Sequence, residues 1–217
     1  MRGLMYAMLA VVVVRFVAQA APLPAAGLKN LLMAIRQNRT TQADFQEERV
    51  IRLMKNPVLS SGAVWFQPPN KFRREVKGNS PSVSVSDGRD LWIYYPNFKS
   101  AERYPLGKGS PLDATVAAIN SALNLENIES SFNITATKIE NGYQLQLLPR
   151  SYAMKRAFQK LDLKINGKFR VERTDMLLPN GDRIVTTYSN QTRAPIPAST
   201  FEFKPPARTE VTTPLGQ

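Results

Sequence analysis

Two periods divide the chain. Between Ile134 and Tyr188 apolar and polar positions alternate: Tyr143, Leu145 and Leu147 against Gln144 and Gln146, then Leu161, Leu163 and Ile165 against Lys160, Asp162 and Lys164. A period of two belongs to strands with one apolar face and one wet face. Near the start the period lengthens. Leu28, Leu31, Leu32 and Ile35 fall at i, i+3, i+4 and i+7, which predicts an amphipathic helix over Leu28–Asn38. Leu112, Val116, Ile119 and Leu123 repeat that stripe. Ser110 is placed to cap it, and Pro111 suits a first helical position because its missing N–H costs nothing there. A helix over Pro111–Leu123 is therefore expected, with a short helical piece over Glu126–Phe132.

The remaining segments read as strands separated by turns. They are Thr40–Met54 (Phe45, Ile51 and Leu53 sharing one parity), Val58–Phe66, Lys71–Lys77, Pro81–Ser86, Leu91–Tyr95, Ser100–Tyr104, Ile134–Glu140, Tyr143–Leu148, Lys160–Ile165, Phe169–Leu177, Arg183–Tyr188 and Thr200–Lys204, with a Pro-rich tail from Pro205. Asn56-Pro57, Pro68-Pro69-Asn70, Asp87-Gly88, Asn141-Gly142, Asn166-Gly167 and Asn180-Gly181 supply the turns, the Asx-Gly pairs being strong hairpin signals. About ten antiparallel strands in meander order make a sheet long enough to curl, and its apolar face must be covered. The expected fold is mainly β with helices (α+β): a curved antiparallel sheet, or unclosed β-barrel, under a helical lid. Leu28–Asn38 and Pro111–Leu123 are the elements able to form that lid.

Composition narrows the partners. The first twenty residues, with Arg2, the apolar run Leu4–Val14 and Ala18-Gln19-Ala20, have the pattern of a secretory signal peptide. Cleavage near Ala20 would leave one exported domain over 21–217. Arg15 ends the apolar run short of the roughly twenty residues a membrane span needs. Removing residues 1–20 takes away Arg2 and Arg15 and lowers the net charge from +12 to +10. Such a charge favours anionic partners; for an exported protein these are membrane surfaces or acidic patches, not nucleic acid.

Catalytic chemistry is thinly supplied. The 217 residues include no cysteine and no histidine, which removes the usual nucleophile–base pairs and zinc ligands. Neither a G-x-S-x-G elbow nor a phosphate-binding loop is present, and Gly107-Lys108-Gly109-Ser110 reads as a loop before a helix cap. Glu47 and Glu48 are neighbours on a strand and point to opposite faces. What remains is an inventory of apolar and aromatic side chains, and residue types alone would assign these to a packed core. No enzyme, metal or cofactor is expected.

A family resemblance enters at Gly62, Val64-Trp65-Phe66, Pro69-Asn70 and Phe72, then Val85-Ser86-Asp87-Gly88 and Leu91-Trp92 through Tyr94-Tyr95-Pro96. Over roughly Leu28–Val211 the chain resembles the LolA family of periplasmic carriers, which escort lipoproteins to the outer membrane. The resemblance implies an open barrel whose concave apolar face binds acyl chains beneath helices. It implies as partners an acylated lipoprotein or other amphiphilic lipid cargo, an inner-membrane ABC transporter that supplies the loading energy, and an outer-membrane receptor, with the carrier a monomer. A glycolipid carrier and a lipid-sensing regulatory module are the alternatives. The expected cavity wall is Val64, Phe66, Phe72, Val83, Val85, Trp92, Leu145, Leu147 and Leu163. The expected lid contacts are Leu31, Leu32, Ile35, Leu112, Val116 and Ile119. Phe72 matches the family's phenylalanine after Pro-Asn, implicated in cargo and transporter handling. The family's arginine before Pro-Asn, which latches the lid, is Pro68 here. Proline cannot donate, so the latch is absent or supplied elsewhere.

Overall fold

The computed structural model describes residues 21–68, 70–106, 125 and 128–214. One helix, α1 (Ala25–Gln37), precedes six strands: β1 (Gln42–Val50), β2 (Val58–Gln67), β3 (Lys71–Lys77), β4 (Ser82–Ser86), β5 (Asp90–Tyr95) and β6 (Ser100–Pro105). After the short α2 (Ile128–Ser131) come β7 (Phe132–Ile139), β8 (Gly142–Pro149), α3 (Tyr152–Ala157), β9 (Lys160–Asn166), β10 (Val171–Leu177), β11 (Arg183–Thr192) and β12 (Glu210–Thr212). The expected helix Pro111–Leu123, with Leu112, Val116 and Ile119, lies outside the described residues.

All twelve strands form one sheet in the order β12-β6-β5-β4-β3-β2-β1-β11-β10-β9-β8-β7. β7 and β12 stand at its two edges, so the barrel is unclosed, as the alternation predicts. The order is not a single meander, however. Two meanders, β1–β6 and β7–β11, are joined where β1 pairs with β11, for example Phe45 opposite Tyr188. β12 adds to the far edge in parallel with β6.

Several boundaries differ from the sequence reading. β1 stops at Val50, where its last partner on β11 is Arg183, so Ile51 and Leu53 do not continue the face begun by Phe45. The chain turns there (Met54 N–H to the Ile51 carbonyl, 2.9 Å) and Leu53 is left in solvent. Thr200–Lys204 is not a strand. Ala198–Phe201 is a 3₁₀ turn with Phe201 buried, and the Phe203 ring lies 5.6 Å from Trp92 and 5.7 Å from Tyr94. Its alternation arose because this segment presses successive aromatics onto the sheet without joining the ladder. α3 escaped the sequence reading, although Ser151 caps it by accepting from the Met154 N–H at 3.2 Å.

The core sits on one face of the sheet. Leu31, Leu32 and Ile35 of α1 pack with Leu145, Leu147, Leu161, Leu163 and Ile165, and with Phe132 and Phe158. A second, smaller cluster occupies the same face of the other meander: Ala43, Phe45, Val64, Phe66, Phe72 and Leu91. Tyr188 packs against both.

Candidate functional site

Strand register decides which side chains share the face that α1 covers. Successive residues on a strand point to opposite faces, and directly paired residues point to the same one. Following the pairs from Ala43 to Val64, then Phe66 to Phe72, Phe72 to Ser86, and Ser86 to Leu91 traces one continuous face across β1–β5. On the other side the same face passes from Phe45 to Tyr188, from Thr186 to Thr174, and on to Leu163, Leu145 and Ala136. Val64, Phe66, Phe72, Leu145, Leu147 and Leu163 therefore lie together on the concave, helix-covered face, and all six are buried.

Val83, Val85 and Trp92 do not. Val85 pairs with Arg73 and Trp92, and Val83 with Glu75 and Tyr94, which places all three on the opposite face, where the tilted Phe203 ring packs against Trp92. In Ser82-Val83-Ser84-Val85-Ser86 either parity could face inward. The serines do, and Ser86 is fully buried, its Oγ donating to the Asn70 carbonyl at 2.9 Å and accepting from the Gly88 N–H at 3.2 Å. Asn70 in turn donates to the Gly88 carbonyl at 3.3 Å, so the Pro-Asn and Asp-Gly turns are tied together. Burial alone would raise the Asp87 carboxyl, but hydrogen bonds from the Asp90 and Arg89 backbone N–H groups outweigh it and hold Asp87 below its ordinary value.

Contacts between strands complete the face. Gly62 leaves the space in which the Phe45 ring lies. A β-carbon there would come 1.8 Å from the Glu75 carbonyl oxygen and 2.8 Å from that ring. The Arg74 guanidinium sits 4.3 Å from the centre of the Phe45 ring and donates to Glu47 at 2.8 Å. Glu47 also accepts from Thr186 at 3.3 Å. A paired, partly buried charge thus stands at the join of the two meanders. Next to it, burial pushes the Tyr188 phenol up to about 12.

Between α1 and this join lies a small cavity lined by Ile35, Ala43, Phe66, Val171 and Tyr188, with Thr40 and Gln191 among its polar neighbours. Its volume is about 20 Å³, room for one water, whereas ligand pockets run to roughly 300–1,000 Å³. α1 is held over it from several sides. The Leu23 N–H donates to the Ala136 carbonyl on edge strand β7 at 2.7 Å, and Arg193 donates to the Gln37 carbonyl at 2.9 Å. Arg36 donates to both Glu129 oxygens, at 2.9 and 2.7 Å, and through Nε to the Leu125 carbonyl at 2.9 Å. Burial would raise the Glu129 carboxyl, yet its pairing with Arg36 brings it below the ordinary value. Pro68 lies in the β2–β3 turn and makes no such contact with α1 among the described hydrogen bonds; the tie on α1 is made by Arg36.

Comparison with known proteins gives a consistent result. The family model described as outer membrane lipoprotein carrier protein LolA matches residues 36–204. An outer-membrane lipoprotein carrier protein of Methylibium petroleiphilum is 31% identical over 154 residues, covering 70% of this chain and 72% of that protein. One of Dechloromonas aromatica is 27% identical over 179 residues, covering 82% and 83%. Among solved structures, an uncharacterized conserved protein from Thermus thermophilus aligns over 86% of this chain and 98% of its own with a TM-score of 0.52 at 15% identity, which speaks for the fold.

Proposed function

Because the chain belongs to the LolA family of outer membrane lipoprotein carrier proteins, we propose that it binds the acyl chains of lipoproteins between α1 and the concave face and carries them across the periplasm. The observation that carries this reading is a face with two apolar clusters bridged by Tyr188, under a helix tied down by a few polar contacts. A lipid chain of about 16 carbons in water represents roughly 12 kcal/mol of hydrophobic free energy at about 0.8 kcal/mol per methylene. An escort must hide that surface and later release it. The cavity of about 20 Å³ is the closed state; cargo enters when α1 swings away, exposing the leucines of β8 and β9 directly beneath it and opening the way to Val64, Phe66 and Phe72 on the same face.

Cleavage after Ala20 frees the protein into the periplasm. An inner-membrane transporter loads it and an outer-membrane receptor unloads it, which puts all energy-consuming steps outside this chain. Among the described residues no helix is long and apolar enough to cross a membrane.

Native mass spectrometry of protein purified from the periplasm is the direct test. Adducts with the mass of an acylated polypeptide, released on adding detergent, are expected. Adducts of a glycolipid or free lipid alone, or no adduct after incubation with a purified triacylated lipoprotein, would overturn the lipoprotein reading.

A further inference from the structure

The two ends of the sheet differ. The pairs Arg49–Val58, Val76–Ser82, Tyr95–Ser100, Leu177–Arg183 and Phe132–Pro149 bring five connections to one end: residues 51–57, 78–81, 96–99, 178–182, and 150–159 with α3. The large apolar side chains most open to solvent lie at this end. Leu53 is 94% exposed, Phe98 80%, Tyr152 77% and Leu59 70%, with Met54 beside them at 52%. No exposed large apolar side chain among the described residues falls in the connections at the opposite end. The five connections also hold Arg52, Lys55, Lys99, Arg150, Lys155 and Arg156 against a single acid, Asp182. Asp182 is occupied locally, accepting from the Arg52 backbone N–H at 2.9 Å and from Asn180 at 2.8 Å.

Protruding apolar tips ringed by cations match one kind of surface in particular. The apolar tips would enter the boundary between headgroups and acyl chains, and the arginines and lysines would meet anionic headgroups. A soluble monomer gains nothing by exposing Leu53 and Phe98, since each costs hydrophobic free energy in water. The opposite end is basic too, with Arg39, Arg89, Lys168, Arg170 and Arg193, so charge alone does not choose the end; the apolar tips do. We propose that this end, with the β1–β2 hairpin at its tip, docks the protein on an anionic phospholipid bilayer. Docking here leaves α1 and its ties on the concave face untouched, and so is separable from cargo binding.

Flotation of protein purified from the periplasm with phosphatidylcholine vesicles, with or without phosphatidylglycerol, tests this. Binding is expected to the phosphatidylglycerol vesicles, weakened by high salt. The double variant L53D/L59D should lose at least about tenfold in binding, because charged residues at the tip cannot enter the interface. R52E/K55E should lose at least about 25-fold on anionic vesicles, at about fivefold per surface cation removed. Both variants should still bind a fluorescent fatty acid, which keeps a failure of docking distinct from a failure of the carrier reading. Absence of binding to anionic vesicles would overturn the proposal. So would full binding by L53D/L59D, which would mean bulk electrostatic adsorption, or a wild-type dimer in sedimentation that L53D/L59D abolishes, which would make this end a contact between copies.

Discussion

The two meanders build the same concave face in different ways. In β7–β10 the face is leucine and isoleucine packed directly under α1, with Leu145, Leu147, Leu161, Leu163 and Ile165 fully buried. In β1–β6 it is aromatic and mixed: Phe45, Phe66 and Phe72 stand beside the Arg74–Glu47 pair and inward serines. The first half has the character of a core and should hold the fold. The second has fewer, larger side chains and a polar margin, which suits a wall that must accept a different partner when cargo arrives.

This contrast can be broken by substitution. The largest effect is expected from Leu163→Ala, which opens a cavity in the leucine half and should cost about 3 kcal/mol, within the 2–5 kcal/mol of such changes. Urea denaturation would measure it, and a loss below about 1 kcal/mol would show that this half is not the structural one. Phe72→Leu should be mild for stability, under about 1.5 kcal/mol, yet alter the rate at which a fluorescent acyl chain exchanges. Unchanged exchange would remove Phe72 from the cargo wall. Arg36→Gln removes a bidentate but solvent-accessible pair, worth up to about 1 kcal/mol. Amide exchange in α1 should quicken by up to about fivefold while β8 and β9 stay protected. Equal protection of α1 in wild type and variant would show that Arg36 does not tie the helix.

The smallest effect concerns pH. The Glu129 carboxyl lies below its ordinary value when folded, so its contribution is fully present above the unfolded value of about 4.3 and is lost as pH falls through the lower folded one. Protection of the α1 amides, taken relative to their intrinsic exchange rates at each pH, should therefore fall below about pH 4 in the wild type. Arg36→Gln should lack that component of the acid response.

The halves also differ in how readily the sequence disclosed them. Tyr143-Gln144-Leu145-Gln146-Leu147 has one wet face, so its inward parity was plain, and Leu145, Leu147 and Leu163 lie where that parity put them. β4 and β5 are covered on both faces, by the core on one side and by the 198–203 segment on the other. Leu91-Trp92-Ile93-Tyr94 offers apolar side chains to each, so apolarity does not choose, and Val83, Val85 and Trp92 lie on the face opposite the expected one. Only the register running from Phe72 through Ser86 decides it. β12 was hidden because three exposed residues in a parallel pairing leave no periodic trace. The Arg36 tie was hidden as well, because it joins residues 93 apart and nothing local in the sequence signals it.

The pairing of β1 with β11 bears on how the chain reaches this structure. Glu47 and Thr186, joined across that ladder, are 139 residues apart, and β1 gains its second neighbour only when nearly the whole chain is available. A chain emerging from a translocation channel N-terminus first would meanwhile present the free edge of β1, with its unpaired N–H and C=O groups, to any other strand nearby. Contacts so distant in sequence also slow folding, since loop closure is unfavourable before any pairing offsets it. The seam should be among the last parts of the sheet to form, and a β11 mutation that weakens it should lower the yield of exported protein more than it lowers the stability of molecules that have already folded.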